Sequence, residues 1–347
     1  MKILRTALLL AAAALTACQA LACSRVVFRG DSTDVVMVGR TLDWRTPIPT
    51  NIYVYPAGIS KVSMPSGPRL EWTSRYGSVL AVGYDGGVTE GMNDQGLVVN
   101  GLFCKVSTYR EAPAGSDMPV MSLAVIVSYF LDNFRTVDEV QYWLENNEFG
   151  ISGKTFDGGT VSLLHWGFTD RSGKTLIMEY DAGKLNIYAS KDYQVLTNDP
   201  VFPSMLAIDS YWKQVGGMNF LPGGVRSTDR FARADYFIHH IPTAHKTSAE
   251  ALPELMSIMV NVSVPFNYEI PGQPELSTTQ WLTVSDVNRG RYYMKFADSE
   301  GAFYVDLSRL SLHPGSPVLK LDTSRHTDFF GCMNDRLLKS RPFNPMW

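Results

Sequence analysis

Ala20-Leu21-Ala22-Cys23-Ser24-Arg25-Val26-Val27-Phe28 is the stretch on which the reading of the whole chain turns. Upstream, Lys2 and Arg5 give a positive start, and Ala7 to Leu15 is an unbroken run of Ala and Leu. Ala20 and Ala22 place small residues at −3 and −1 of a signal-peptidase site. The spacing predicts a signal peptide over 1–22 and, since no repeat, low-complexity tract or linker divides the rest, one domain over 23–347. Cleavage there makes Cys23 the first residue of the mature chain, with a free α-amine beside its thiol. An α-amine titrates near pH ~8 and a thiol near ~8.5, so one residue carries both a nucleophile and a general base.

A second reading of the leader competes with the first. Leu15-Thr16-Ala17-Cys18 fits a bacterial lipoprotein site, which would lipidate Cys18 and leave Cys23 internal with an ordinary amide. The site at 20–22 is better placed, because a regular strand pattern begins straight after Cys23. Loss of Lys2 and Arg5 with the leader moves the formal charge from −3 to −5. Such mild acidity argues against nucleic acid or an anionic membrane as partner, since both select concentrated basic patches. An apolar fraction of 45% is enough for a full core. The longest later apolar stretch, Met118 to Leu131, is broken by Pro119 and Ser122 and is too short to span a bilayer. Cys23, Cys104 and Cys332 remain after cleavage, so at least one thiol is unpaired within the chain. A Cys104–Cys332 bridge stays open at this point. No Cys or His spacing resembles a zinc site.

Val35–Val38, Ile52–Tyr55 and Ser78–Val82 read as short strands punctuated by Gly, Pro, Asn and Asp. Gly91 to Gly96 reads as a turn into the strand Leu97–Phe103. Val120, Leu123, Ala124, Val127 and Leu131 then recur at helical spacing, and Thr136-Val137-Asp138-Glu139 has the form of a capping box opening a second helix. Strands return at Val161–His165, Thr175–Tyr180 and Tyr193–Leu196, followed by helices at 203–214, 227–240 and 248–260. Strands near Trp281–Asp286, Tyr292–Phe296 and Phe303–Leu307 close the chain. This order of strand runs and helix runs suits an α+β protein with two antiparallel sheets and helices outside each.

Gly39-Arg40-Thr41-Leu42-Asp43-Trp44 puts a cation and an acid on the strand expected beside Cys23. A guanidinium near the thiol stabilises thiolate and keeps the amine deprotonated, and Asp43 could orient that amine. Asn198, in Leu196-Thr197-Asn198-Asp199-Pro200, has an amide able to donate to an oxyanion. Arg230 stands in the first turn of the helix after the Gly-rich loop, with Ser227 as the expected N-cap. A cation there runs against the helix dipole, which hints at a task outside the helix. The histidines offer no better catalyst: His165 reads as a core or edge residue of a strand, and His239, His240 and His245 sit at a helix end.

Taken in order, Cys23, the Gly39–Asp43 segment, Gly91-Met92-Asn93-Asp94-Gln95-Gly96-Leu97, Leu196–Pro200, Leu221-Pro222-Gly223 and Ser227–Phe231 resemble the choloylglycine hydrolase family along essentially the whole mature chain. These are N-terminal-nucleophile amidases that include bile salt hydrolases and penicillin V acylases. The resemblance implies a four-layer α-β-β-α sandwich, with Cys23 as nucleophile and its amine as base. It implies that Arg40 and Asp43 tune that pair, that the Phe103 backbone N–H and Asn198 hold the oxyanion, and that Arg230 helps hold the site. Bile salt hydrolases usually carry Asn, and Gram-positive penicillin V acylases Tyr, where this chain has Phe103. Together with Trp44, the export signal and Glu71-Trp72-Thr73-Ser74-Arg75-Tyr76-Gly77-Ser78, that departure is similar to the Gram-negative penicillin V acylases. Some members of that branch also deacylate N-acyl homoserine lactones. The expected substrate is a small-molecule acyl amide bound against Trp44 and Phe103, with no cofactor and no metal. A periplasmic location and a homotetramer are further implications of the resemblance. Conjugated bile salts are the alternative substrate, and a secreted β-rich binding module with an incidental Cys23 is the non-enzymatic alternative.

Overall fold

The computed structural model describes residues 23–31, 34–153, 155–156, 160–244, 246–268 and 277–347. The expected leader and Cys18 lie outside these residues, as does His245. Cys23–Arg29 pairs antiparallel along its length with Val36–Trp44, which places Cys23 opposite Leu42 and Arg25 opposite Arg40. Val36–Trp44 in turn pairs with Thr278–Asp286. These strands lie inside a seven-stranded sheet whose edge beside Cys23 is the short strand Val195–Leu196. A nine-stranded sheet faces it, with Leu164–Thr169, Val98–Phe103, Gly87–Asn93 and Ser78–Gly83 as consecutive inner neighbours.

The period of two along each strand sorts its side chains between two cores. Val27, Val38, Trp281 and Met294 meet Val54, Val79, Met92 and Val98 between the sheets. Val26, Phe28 and Met37 face the other way, under Phe231, Ala234, Leu255 and Met259 of the helices Ser227–His240 and Ser248–Val262. Helices Ile126–Asn133 and Val137–Asn146 cover the far face of the nine-stranded sheet through Ile126, Phe130, Val140 and Leu144. The layers therefore run α-β-β-α, as expected. Gly39 belongs to this packing: a Cβ there would meet Met259 at 2.7 Å, so only glycine lets the last helix lie this close to the sheet.

Several local expectations are corrected. Gly91, Met92 and Asn93 are the end of a strand rather than a turn, which is confined to the residues after them. Val120 lies in a short strand, Val120–Ser122, paired parallel with Gly150–Ser152; helix begins only at Ile126. The run Val161–His165 is interrupted, with Leu164–Thr169 as the true inner strand. Thr136 accepts from the Glu139 N–H, but Glu139 returns its carboxylate to the Arg135 N–H, so the box is incomplete; a full one is made by Thr247 and Glu250. Ser227 is the first residue of its helix and Arg226 the cap. The strands Lys184–Ser190, Val318–Leu321, Gly331–Cys332 and Leu338–Ser340 had no clear signal in the sequence. Cys104 and Cys332 are free thiols, as is Cys23. Among the described residues no helix is long and apolar enough to cross a membrane.

Candidate active site

Strand pairing fixes the first contact. Arg40 faces into the gap between the sheets, and its Nη2 lies 3.8 Å from Cys23 Sγ and 3.0 Å from the carbonyl oxygen of Gly101. Its Nη1 is 3.0 Å from Glu90 Oε2, and the guanidinium carbon sits 4.7 Å over the Trp281 ring. Both members of this ion pair are almost fully buried. Glu90 is held by two hydroxyls: Thr283 and Tyr292 donate to its Oε1 at 2.6 and 2.7 Å. A second guanidinium, Arg25, crosses the same gap to donate to Asn100 Oδ1 at 2.8 Å and Thr169 Oγ1 at 2.6 Å. Burial pulls its pKa down to about 9 against the attraction of Glu90.

The backbone of Cys23 is held from the opposite side. Its nitrogen donates to Asn198 Oδ1 at 2.6 Å. Arg230 Nη1 donates to the Cys23 carbonyl at 2.7 Å and to Ser24 Oγ at 2.5 Å, and Nη2 donates to Asn198 Oδ1 at 2.7 Å. The cation that the helix dipole disfavours thus leaves its helix to bind the strand carrying the thiol. Asn198 Nδ2 donates one hydrogen to the Phe103 carbonyl at 2.6 Å. The second amide hydrogen is the one that geometry leaves for a ligand. Ser227 ties this turn to the helix, accepting from the Asn198 N–H at 2.9 Å.

Asp43 is fully buried, and its own carbonyl oxygen lies 4.0 Å from the thiol. Thr279 donates to Oδ1 at 2.6 Å and Thr41 to Oδ2 at 3.4 Å. Burial pushes the carboxyl up to about 6, despite Arg230, Thr279 and Arg40, which all favour the anion. Arg230 is pushed down by burial and held up by Asp43 and Cys23.

Beside the thiol opens a cavity of about 120 Å³ walled by Trp44, Phe103, Ile48, Val88, Leu123 and Leu164. The Trp44 and Phe103 rings meet edge to face, with centroids 5.5 Å apart. The cavity exists because the sheet is split there. Pairing between Gly87–Asn93 and Val98–Phe103 stops at Glu90↔Asn100, and the Val88 N–H goes to Ala124 instead. The expected residues Cys23, Arg40, Asp43, Trp44, Phe103, Asn198 and Arg230 are therefore all in one place. Glu90, Thr279 and Arg25 were missed. Glu90 is the only ionisable residue in its strand, a signal that could have found it.

Among the described residues one group could offer metal ligands: Cys104, His165 and Glu179, all buried, with ligand atoms within 4.8 Å of one another. It does not suit a metal. Both His165 nitrogens are already engaged at 2.7 Å, with Glu179 Oε1 and the Thr197 carbonyl.

A profile describing linear amide C–N hydrolases of the choloylglycine hydrolase family matches residues 23–325. The penicillin V acylase of Pectobacterium atrosepticum is 34% identical over 97% of this chain and 95% of its own length. The bile salt hydrolase/transferase of Clostridium perfringens is 25% identical over 80% of this chain and 90% of its own. A solved penicillin V acylase from Agrobacterium tumefaciens, 37% identical, matches with a TM-score of 0.86 over 93% of this chain and 99% of that one. A variant of conjugated bile acid hydrolase from Clostridium perfringens, at 19% identity and a TM-score of 0.71, covers 94% of this chain and 99% of its own and speaks to the fold alone.

Proposed function

This chain belongs to the choloylglycine hydrolase family of linear amide C–N hydrolases, and we propose that it is an exported cysteine amidase activated by cleavage before Cys23. The observation that carries the proposal is the setting of one residue: Cys23 Sγ beside the Arg40 guanidinium, with its backbone nitrogen held 2.6 Å from Asn198 Oδ1. Once cleaved, that nitrogen is the α-amine. The thiol gives its proton to the amine, and Sγ attacks the amide carbonyl to form a C–S bond. Asn198 Nδ2 and the Phe103 N–H hold the oxyanion; losing one such donor typically costs roughly 10²–10³ in rate. The protonated amine then gives its proton to the leaving nitrogen as the C–N bond breaks, leaving an acyl thioester. Water, deprotonated by the same amine, releases the acid and restores the thiol.

The substrate is a small acyl amide of the penicillin V or long-chain N-acyl homoserine lactone type. Support comes from the apolar walls of the cavity and from the relatives named penicillin V acylase. Export to the periplasm agrees with the leader, which is the part of the chain that cleavage removes.

One experiment tests this. Secreted protein is sequenced at its N-terminus by mass spectrometry, then assayed on penicillin V, glycocholate and a long-chain acyl homoserine lactone, with Cys23→Ala alongside. A mature start at Cys23, hydrolysis of an acyl amide and loss of turnover in Cys23→Ala are expected. Activity surviving in Cys23→Ala sinks the mechanism; a clear preference for glycocholate sinks the substrate assignment only.

A further inference from the structure

We infer that His165 and Glu179 are positioning residues for the amide hydrolysis, a buried ion pair that fixes the Asn198 turn from behind. The inference rests on the amidase reading given above and deepens it. His165 stands on Leu164–Thr169, opposite Leu102, and Glu179 lies one position beyond the Trp166↔Met178 pair on the neighbouring strand. Both side chains are buried, and neither takes part in the chemical steps.

Their hydrogen bonds hold the ring at both nitrogens. The Thr197 carbonyl can only accept, so His165 Nε2, 2.7 Å away, carries a hydrogen. His165 Nδ1 and Glu179 Oε1 are also 2.7 Å apart, so the ring is engaged at both nitrogens. The contact has the geometry of an ion pair when the imidazole is protonated. Burial works against that charge, but the Cys104 thiol and Glu179 outweigh it and hold the imidazole well above its ordinary value.

The pair grips both ends of one segment. His165 holds the carbonyl of Thr197, the residue before Asn198, while Glu179 Oε2 accepts the N–H of Phe202 at 2.9 Å, where the next helix begins. Asn198 lies between these two anchors. Because Thr197 follows the edge strand of the seven-stranded sheet and His165 belongs to the nine-stranded one, the imidazole also bridges the sheets. Asn198 needs that restraint: it makes bonds of 2.6, 2.7 and 2.6 Å to the Cys23 nitrogen, Arg230 and the Phe103 carbonyl. Ser227 holds the turn from the helix side, and His165 and Glu179 hold it from the sheet side. A misplacement near 1 Å at such a site costs on the order of 10² in rate.

The test compares His165→Phe and Glu179→Gln, each in wild type and in an Asn198→Ala background, with kcat expressed per Cys23 that can be alkylated. Expected is a fall in kcat per titrated site of about 10–100-fold, with KM within about threefold. In the Asn198→Ala background either substitution should cost less than about twofold more, because both act through Asn198. Glu179→Gln keeps shape and an acceptor for Phe202, and it decides the matter if His165→Phe does not fold. Unchanged kcat per titrated site, with only yield or melting temperature lowered, overturns the inference, as does a fully multiplicative loss in the Asn198→Ala background. Wild type inactive on every acyl amide, or an active Cys23→Ala, would instead sink the amidase reading, so the two failures are distinct.

Discussion

Glu90→Gln isolates the charge that anchors Arg40. The substitution keeps the volume and an oxygen for the hydroxyls of Thr283 and Tyr292, which lie 2.6 and 2.7 Å from Glu90 Oε1. It replaces the oxygen 3.0 Å from Arg40 Nη1 with an amide group, so a donor faces a donor. Arg25 loses its favourable charge at the same time, since Glu90 is what offsets its burial. Breaking a buried pair by removing one partner costs about 3–5 kcal/mol, well above the roughly 1 kcal/mol of a single neutral hydrogen bond. For a chain of this size about 1 kcal/mol corresponds to roughly 1.5 °C, so the melting temperature should fall by about 4–8 °C. Circular-dichroism melts give that number, and hydrolysis assays well below the transition give the chemical effect. With Arg40 free to drift from the thiol, kcat/KM should fall at least ~10-fold. Replacing both partners by apolar groups, as in Glu90→Leu with Arg40→Met, should return much of the stability and none of the activity. A Glu90→Gln protein that melts within about 1 °C of wild type and keeps its kcat/KM would refute the anchoring role.

Asp43, pushed up to about 6 by burial, should give kcat/KM an acid limb near pH 6, with activity falling as the carboxylate takes up its proton; Asp43→Asn should be low and flat across that range. Stability moves the other way from a simple acid effect. The folded state keeps this proton to about 6 whereas the unfolded chain releases it near 3.8, so wild type should lose stability relative to Asp43→Asn as pH rises across that window and level off above it. Trp44→Ala should lower kcat/KM for penicillin V or a long-chain acyl homoserine lactone more than for glycocholate, since buried apolar acyl surface contributes about 25 cal/mol per Å²; an equal loss on all three counts against an acyl wall at Trp44. A variant that retains a residue before Cys23 should fold and take one alkyl label on Cys23, yet show almost no turnover, and full turnover would remove the amine from the mechanism.

What the sequence made legible depends on how local each signal is. Helix 227–240 was read to within a residue at its start because Phe231, Ala234 and Ile238 repeat at a helical period under one core. Val120 was misread as helical because its periodic neighbours belong to two elements, a strand and then a helix, that happen to bury the same side. The site residues with a local anomaly stood out: a Cys after an expected cleavage site, an Arg against a helix dipole, an Asn before Asp-Pro. Arg25 had no such anomaly in its own segment, and Glu90 only the weak one of being the sole ionisable residue of its strand. Their meaning comes from each other across the gap between sheets, and no spacing along the chain encodes that gap. His165 was read as a core or edge residue of a strand and lies buried in an inner one, but its partners at Glu179 and Thr197 became visible only with the register.

The bonds made to Cys23, at its thiol and its backbone, join parts of the chain that are far apart in sequence. Arg40 is 17 residues away, Asn198 is 175 and Arg230 is 207. Contacts this distant close late, because each carries the entropy of a long loop that few earlier contacts have reduced. Until the Asn198 turn and the Arg230 helix have both docked, the backbone of Cys23 lacks its two most distant anchors. In the proposed mechanism, turnover therefore needs both distant contacts in place as well as cleavage before Cys23. In refolding, secondary structure should return first and Cys23-dependent hydrolysis after it, making turnover a reporter of completed topology rather than of collapse.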